Sequence, residues 1–200
     1  IDYTAPMVEA SRQAHPGLRF EQMDARDLGR LAAGRFALVV FSFNGIDSVP
    51  PDDRLRVLAE VHRVLQPGGL FLFSAHNRHG PGTHERPGLR VPFSANPLRL
   101  GWRLARRLGA LPRELRNHRR LQDANELHDG WAVLNAGAHG FGLLVVYTSL
   151  AEQRRQLAAA GFRVEAVYDS TAGERVEGNG RHEDTWWFHY VARKAPAGTG

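Results

Sequence analysis

The sequence predicts an α/β layered fold around a mostly parallel sheet, and three observations carry that prediction. Apolar strands and helices alternate along most of the chain. "RFALVVFSF" and "LFLFSAH" are nearly continuous apolar runs, the pattern of parallel strands covered on both faces. Between them Pro50-Pro51-Asp52 opens a helix whose Leu55, Leu58, Val61, Val64 and Leu65 fall on one apolar stripe.

The elements follow in order. Thr4 is placed to cap a first helix, with Pro6 in its first turn, and "PMVEASRQAH" carries it to about His15. Pro16-Gly17 breaks it. "LRFEQMD" reads as a short strand and "ARDLGRLAAG" as a short helix or turn. Pro67-Gly68-Gly69 ends the second long helix. Residues 77–146 break the rhythm with scattered Gly and Pro, an arginine-rich helical stretch from Pro97 to Gln122, and "NAGAHGFGLLVV". The alternation resumes at Tyr147. Ser149 and Glu152 form a capping-box pattern, and "LAEQRRQLAAA" ends at Gly161, a helix stop. "FRVEAVYD" is a strand, "STAGERVEGNGRHED" a polar loop and "TWWFHYVARK" a last strand. With no helix between them, the final strands predict an antiparallel hairpin at the sheet edge. A sheet of this kind needs a strand before Thr4, of which Ile1-Asp2 would be the tail. The expected organisation is a single partial domain over 1–194 with an insertion at 77–146, and a disordered tail at 195–200.

Composition narrows the function classes. The 200 residues suit one domain, and 42% hydrophobic content supports a real core. No apolar run approaches the roughly 18 residues of a membrane span, so no membrane partner is expected. Zero cysteines excludes disulfides, thiol catalysis and cysteine-ligated zinc. With no secretory signal in the first residues, this points to the cytoplasm. The formal net charge is +5, yet Lys194 is the sole lysine among 26 basic residues. That skew, with many Ala, Gly and Pro, reads as the codon bias of a GC-rich, bacterial genome rather than as a nucleic-acid footprint. The excess is local: Arg99, Arg103, Arg106, Arg107, Arg113, Arg116, Arg119 and Arg120 face the single acid Glu114.

Open parallel sheets bind ligands at the carboxyl ends of their strands. Four such ends can be named: Asp2-Tyr3, Asp24-Ala25, Phe41-Ser42-Phe43-Asn44, and Ser74 with His76 and Asn77. An acid such as Asp2 is suited to gripping a ribose diol, since a carboxylate accepts two hydrogen bonds. The competing reading is a solvated acid near a helix N-terminus. Asp24 can accept from an exocyclic amine while the Ala25 amide donates to a ring nitrogen. Alternatively, Asp24 caps the short helix that follows. Together the two acids point to an adenosine-like ligand.

"IDYTAPM", "FEQMDARDL", "FALVVFSFNGID" and "VLAEVHRVLQPGGLFLFS" resemble, in order and spacing, the motifs of the class I S-adenosylmethionine-dependent methyltransferases. "YTSLAEQRRQLAAAGFRVEAVYD" is similar to that family's late helix and sixth strand. The resemblance covers roughly 1–76 and 147–194. It implies a Rossmann-like seven-stranded sheet, here lacking its first strand and first helix, with a helical insertion after the fifth strand. It also implies S-adenosylmethionine at the strand ends and methyl transfer to a small-molecule acceptor. Carried over by position, Asp2 would hold the ribose, Tyr3 and Met7 would flank the adenine, and Asp24 and Ala25 would read its edge. Phe41, Ser42 and Phe43 would line the methionine arm. The family's glycine-rich loop should precede Asp2; "GAHGFG" and "GNG" read as turns and do not replace it. Without that loop the chain is expected to bind the cofactor weakly or not at all.

The implied reaction is an in-line displacement, in which the protein mainly aligns and desolvates. His76 is the candidate general base, set against a histidine bonding its neighbouring loop. Asn44, Asn77 and Tyr147 are candidate substrate contacts, although either asparagine could instead bond turn backbone. His76, His79, His84 and Glu85 sit among Gly and Pro, so no metal is expected. The arginine-rich insert lies where this family often carries a lid. The expectation there is a solvated helical face with Trp102, Leu104, Leu108 and Leu111 packing beneath, because only Trp102 could stack on a base. Two rival functions stay open: a non-catalytic binding module, and an RNA methyltransferase using Arg99–Arg120. The oligomeric state is not legible.

Overall fold

The structure, a computed structural model, describes residues 1–196; residues 197–200 of the expected tail lie outside the described residues. The chain divides into two compact units. The first collects Ile1–Ser74, Arg154–Val167 and the described residues from His189 onward, and the second Ala75–Gln153 and Tyr168–Phe188.

In the first unit, helix α1 (Ala5–Ala14) starts where the sequence places it, with Pro6 in its first turn. Thr4 is the N-cap residue, but its side chain does not cap. Its amide and its hydroxyl both donate to Asp2 Oδ1, at 2.7 and 2.9 Å. The expected strand at 18–24 is reduced to one parallel bridge between Asp2 and Gln22. Two hydrogen bonds make it, Asp2 N to Glu21 O at 3.1 Å and Met23 N to Asp2 O at 2.9 Å. A ladder needs extended residues on both sides, and Thr4 already leads into α1. Residues 25–34 are turns, pinned by Met23 and Leu28, which pack on Val64 in a buried cluster. Arg63 donates to the carbonyls of Leu28 and Leu31, and Glu60 accepts the Leu28 amide, so these turns are also tied by hydrogen bonds.

Strand β1 (Phe36–Phe41) pairs in parallel with β2 (Leu65–His76). Between them runs α2 (Pro51–Val64). Two expectations need correction here. First, β1 is not covered on both faces, because Leu38 and Val40 are 49% and 60% exposed. β1 closes one end of the four-stranded order β1-β2-β7-β6. Second, the buried face of α2 comprises Arg54, Val57, Leu58, Val61 and Val64, while Leu55 is exposed. Leu58, Val61, Val64 and Leu65 are buried as the stripe predicts, and Arg54, paired with an acid described below, is buried where the stripe places Leu55.

Pro67-Gly68-Gly69 does not simply end the helix, because it lies inside β2. The β1–β2 register jumps there, from Phe36 opposite Leu65 to Leu38 opposite Leu70. Gly68 takes φ +76°, a left-handed conformation that glycine adopts without penalty. Helix α4 (Leu150–Ala159) ends at Gly161 with φ +84°, as the sequence predicts. Strands β6 (Phe162–Asp169) and β7 (Trp187–Lys194) fill the other end of the sheet, with β6 outermost. Stacked Phe71, Phe73 and Tyr190 form the aromatic heart of this unit. Full burial of such a side chain contributes about 1.5–3 kcal/mol.

The second unit holds helix α3 (Pro97–Leu121) and an antiparallel sheet that the sequence reading did not foresee. Its strands are β3 (Glu126–Leu127), β4 (Trp131–Asn135) and β5 (Leu144–Thr148). Ala132, Leu134, Ala136, Val145 and Tyr147 form its core. Asn96 caps α3 by accepting the amides of Leu98 and Arg99. Of the apolar residues of α3 expected to pack beneath it, Leu111 is half-buried but the other three are exposed. Trp102, Leu104 and Leu108 are 58%, 43% and 49% exposed, and the buried residue of this helix is Glu114. "GAHGFG" is a turn, as expected, with Gly140 and Phe141 left-handed.

Candidate functional site

In the first unit, of the two predicted acids, Asp24 lines a cavity and Asp2 pairs through its backbone with the segment that leads to it. Tyr3, Gln22, Met23, Asp24, Asp27 and Arg30 line a cavity of about 360 Å³. Asp2 borders it through its bridge to Gln22, whose side-chain amide donates to Tyr3 O at 3.2 Å. Tyr3 is 66% exposed, so its ring face is open to a ligand. Asp2 Oδ1 is held by Thr4, and Asp2 Oδ2 has no protein donor among the described residues. The Ala25 amide likewise has no acceptor among them. Met7 is 57% exposed on α1 and does not line the cavity.

Asp24 is less open than the sequence suggests. The Arg26 guanidinium forks onto it, with Nε at 3.0 Å from both oxygens and Nη2 at 2.7 Å from Oδ2. The Arg26 amide adds a fourth bond, at 2.9 Å to Oδ1. Arg26 Nη1 also reaches Asp53 Oδ2 at 2.7 Å, so one arginine ties the turn to the start of α2. The side-chain hydrogen bonds from Arg26 hold both carboxyls below the usual carboxylate range. An amine approaching Asp24 must therefore share it with Arg26. Sequence reasoning missed Arg26, Gln22, Asp27 and Arg30; the charged run "DARD" was the available signal.

The end of β1 is a strained turn. Phe43 and Asn44 are both left-handed, at φ 54° and 55°. Consecutive non-glycine residues in that region are costly, of order 1–3 kcal/mol each, and such strain gathers at functional sites. Phe43 is 96% exposed, Ser42 is exposed and Phe41 half-buried. A side chain at Gly45 would collide with the Phe41 ring, so the tight packing of this corner requires glycine. The Asn44 amide donates to Ser74 Oγ at 2.9 Å. Beneath the turn lies a buried ion pair in which Arg54 Nη1 donates to Asp47 Oδ1 at 2.8 Å and to Ile46 O at 3.0 Å. Both residues are 1% exposed. Removing one partner of such a pair costs about 3–5 kcal/mol, so it fixes the turn firmly.

The remaining candidates belong to the second unit. His76 is half-buried, its ring 5.0 Å from that of Tyr147. Asn77 is a correction: it is wholly buried, and its amide nitrogen donates to the carbonyls of Arg181, His182 and Thr185. Its Oδ1 accepts the His79 amide. These bonds consume its side chain, so it pegs the polar loop and does not contact substrate. Tyr147 is also corrected: at 1% exposure it is a core residue packed against Gly82. Burial lowers the pKa of His79. Among the described residues no group of three His, Cys, Asp or Glu side chains is placed to hold a metal ion. No helix among them is long and apolar enough to cross a membrane.

Comparison with known proteins bears on this geometry. Residues 1–69, which contain the cavity and the strained turn, match the methyltransferase domain family. Over 78 residues the chain is 31% identical to a carboxy-S-adenosyl-L-methionine synthase of Actinobacillus succinogenes, an alignment covering 37% of this chain and 32% of that protein. The chain thus spans about a third of that curated relative. The structure is similar to an S-adenosylmethionine-dependent methyltransferase from Mesorhizobium loti, with a TM-score of 0.59 and 17% identity over 96% of this chain and 78% of that one. A Methanosarcina mazei methyltransferase gives 0.55 and 16%, over 98% and 81%. The 1,6-didemethyltoxoflavin-N1-methyltransferase of Burkholderia thailandensis, solved with bound 1,6-didemethyltoxoflavin and S-adenosylhomocysteine, gives 0.51 and 14%, over 96% and 57%. Residues 1–69 therefore match the methyltransferase domain family, and the described residues share the α/β fold of solved S-adenosylmethionine-dependent methyltransferases.

Proposed function

We propose that this protein is a cytoplasmic, bacterial S-adenosylmethionine-dependent methyltransferase acting on a small-molecule acceptor, with 1–194 as one partial domain and 77–146 inserted in it. The observation that carries the reading is the cavity of Tyr3, Gln22, Met23, Asp24, Asp27 and Arg30 inside the family-matched segment. Its residues fit an adenosine. Asp2 Oδ2 is open to a ribose hydroxyl, the exposed Tyr3 ring offers an aromatic face, and the Ala25 amide is free to donate. Phe41, Ser42 and Phe43 would line the methionine arm, with Asn44 among the residues that orient the acceptor. When bound, the cofactor supplies a methyl group on a sulfonium, which is a good leaving group. This chain's residues then bind, orient and exclude water. His76 is the proposed base for the acceptor's proton.

The experiment is calorimetric titration of S-adenosylmethionine into the full-length protein. Asp2→Ala and Tyr3→Ala are each expected to weaken binding roughly tenfold, about 1.4 kcal/mol. A variant set that binds like the parent defeats the assignment. In labelled-cofactor assays, His76→Asn should flatten the pH–rate profile without raising the cofactor Kd.

A further inference from the structure

In the second unit, α3 and two loops line an open cavity of about 540 Å³. We infer that it binds a small organic anion, a carboxylate or phosphate ester carrying an apolar or aromatic body. Five arginines line it, Arg90, Arg103, Arg106, Arg107 and Arg113, against the single lining carboxylate of Glu114. One oxygen of that buried carboxylate, Oε1, accepts from Arg107, and Oε2 has no partner among the described residues. Arg107 is further committed to Gly88 O at 2.8 Å, and the Glu114 bond holds its pKa above the usual value. Among the described residues no carboxylate pairs with Arg90, Arg103, Arg106 or Arg113. Another acid nearby is Glu85, whose carboxylate lies against Gly137 at the cavity wall.

Four unneutralised guanidinium groups around one cavity repel one another, and an anion would offset that repulsion. Guanidinium forks match carboxylate and phosphate in a way that point charges do not. The rest of the lining is apolar or small: Val91, Pro92, Trp102 and Ala110 with Gly137 and Gly140. Trp102 is 58% exposed, with the Arg106 guanidinium 4.8 Å from its ring centroid, so it presents a face for an organic body. Asn117 holds the glycine wall by donating to Gly140 O at 3.0 Å. The volume falls in the range of small-molecule sites, about 300–1,000 Å³.

The test is calorimetry on the full-length protein without S-adenosylmethionine, at about 150 mM salt. The probes are phenyl phosphate and phthalate, with neutral benzamide as control. At least one anion should bind roughly tenfold more tightly than benzamide, and the tighter of the two names the head group. Arg106→Gln/Arg113→Gln should lose at least about tenfold in affinity with an unchanged melting temperature. The double lysine variant, which keeps the charge and loses the forks, should recover part of that affinity. Equal binding of anions and benzamide overturns the inference, as does unchanged affinity in the glutamine variant. So does tighter binding of a single-stranded RNA oligonucleotide than of either anion, lost in the same variant. Because cofactor is absent, the outcome is independent of the methyl-transfer reading.

Discussion

Asp24 is a single carboxylate with two possible partners. In the protein alone Arg26 takes it; in the proposed reading an adenine amine competes for it. The Arg26 fork also reaches Asp53, so the same side chain organises the cavity wall and the first turn of α2. The folded-state pKa values of Asp24 and Asp53 are depressed, first by their hydrogen bonds to Arg26. Stability from depressed carboxyls is fully present above their unfolded pKa, about 3.9, and is lost as pH falls through the folded values. Urea unfolding midpoints should therefore be level above pH about 5 and fall below about 4. Arg26→Gln releases both acids at once, so its acid limb should be shallower than the parent's. Parallel limbs in the two proteins would show that Arg26 does not set them.

At the scale of elements, the junction of α2 and β2 separates two kinds of glycine. Gly68 is left-handed with open space where a side chain would go. Gly69 has ordinary φ, but a Cβ there would lie 2.9 Å from Gln66 O and 3.2 Å from Ala37 O. Neither backbone carbonyl can move without disturbing the β1–β2 register. Gly68→Ala should cost about 1–2 kcal/mol, the conformational penalty alone. Gly69→Ala should cost more, up to about 3 kcal/mol, because the strands must part. Denaturant unfolding of the two variants checks the order, and a neutral Gly69→Ala would refute the close approach. The turn residues "PGG" were visible in the sequence; that they form a bulge inside a strand was not, since register depends on the partner strand. Helix α2 was equally legible in extent and in its buried Leu58, Val61 and Val64, but not at its first turn, where Asp47 holds Arg54 inside and a hydrophobic stripe would choose Leu55. The β3-β4-β5 sheet escaped notice because β3 has two residues and the strands are broken by Gly and Asn turns. For the candidate site, Tyr3 and Asp24 were named from the sequence, whereas Gln22, Asp27 and Arg30 become lining residues only when the turns fold back.

For the whole molecule, the formal charge of +5 raises the question of nucleic acid again. Eight arginines lie between Leu98 and Leu121, and the folded helix does place them at the surface or around an open cavity. Charge alone gives counterion-release binding, with no sequence preference and steep salt dependence. Sequence-tolerant tight binding to single strands also needs aromatic platforms. In α3 the available one is Trp102, and the Arg106 guanidinium already lies over its ring. Binding of a mixed-sequence RNA should therefore be detectable at about 50 mM salt and fall by about 10³-fold or more by 200 mM. It should not change when the RNA sequence is permuted. Fluorescence anisotropy over a salt series measures both. Affinity that survives 200 mM salt, or that follows sequence, would favour the RNA methyltransferase over the small-molecule enzyme. A steep, sequence-blind loss leaves the arginines of α3 to the small anion their cavity can hold.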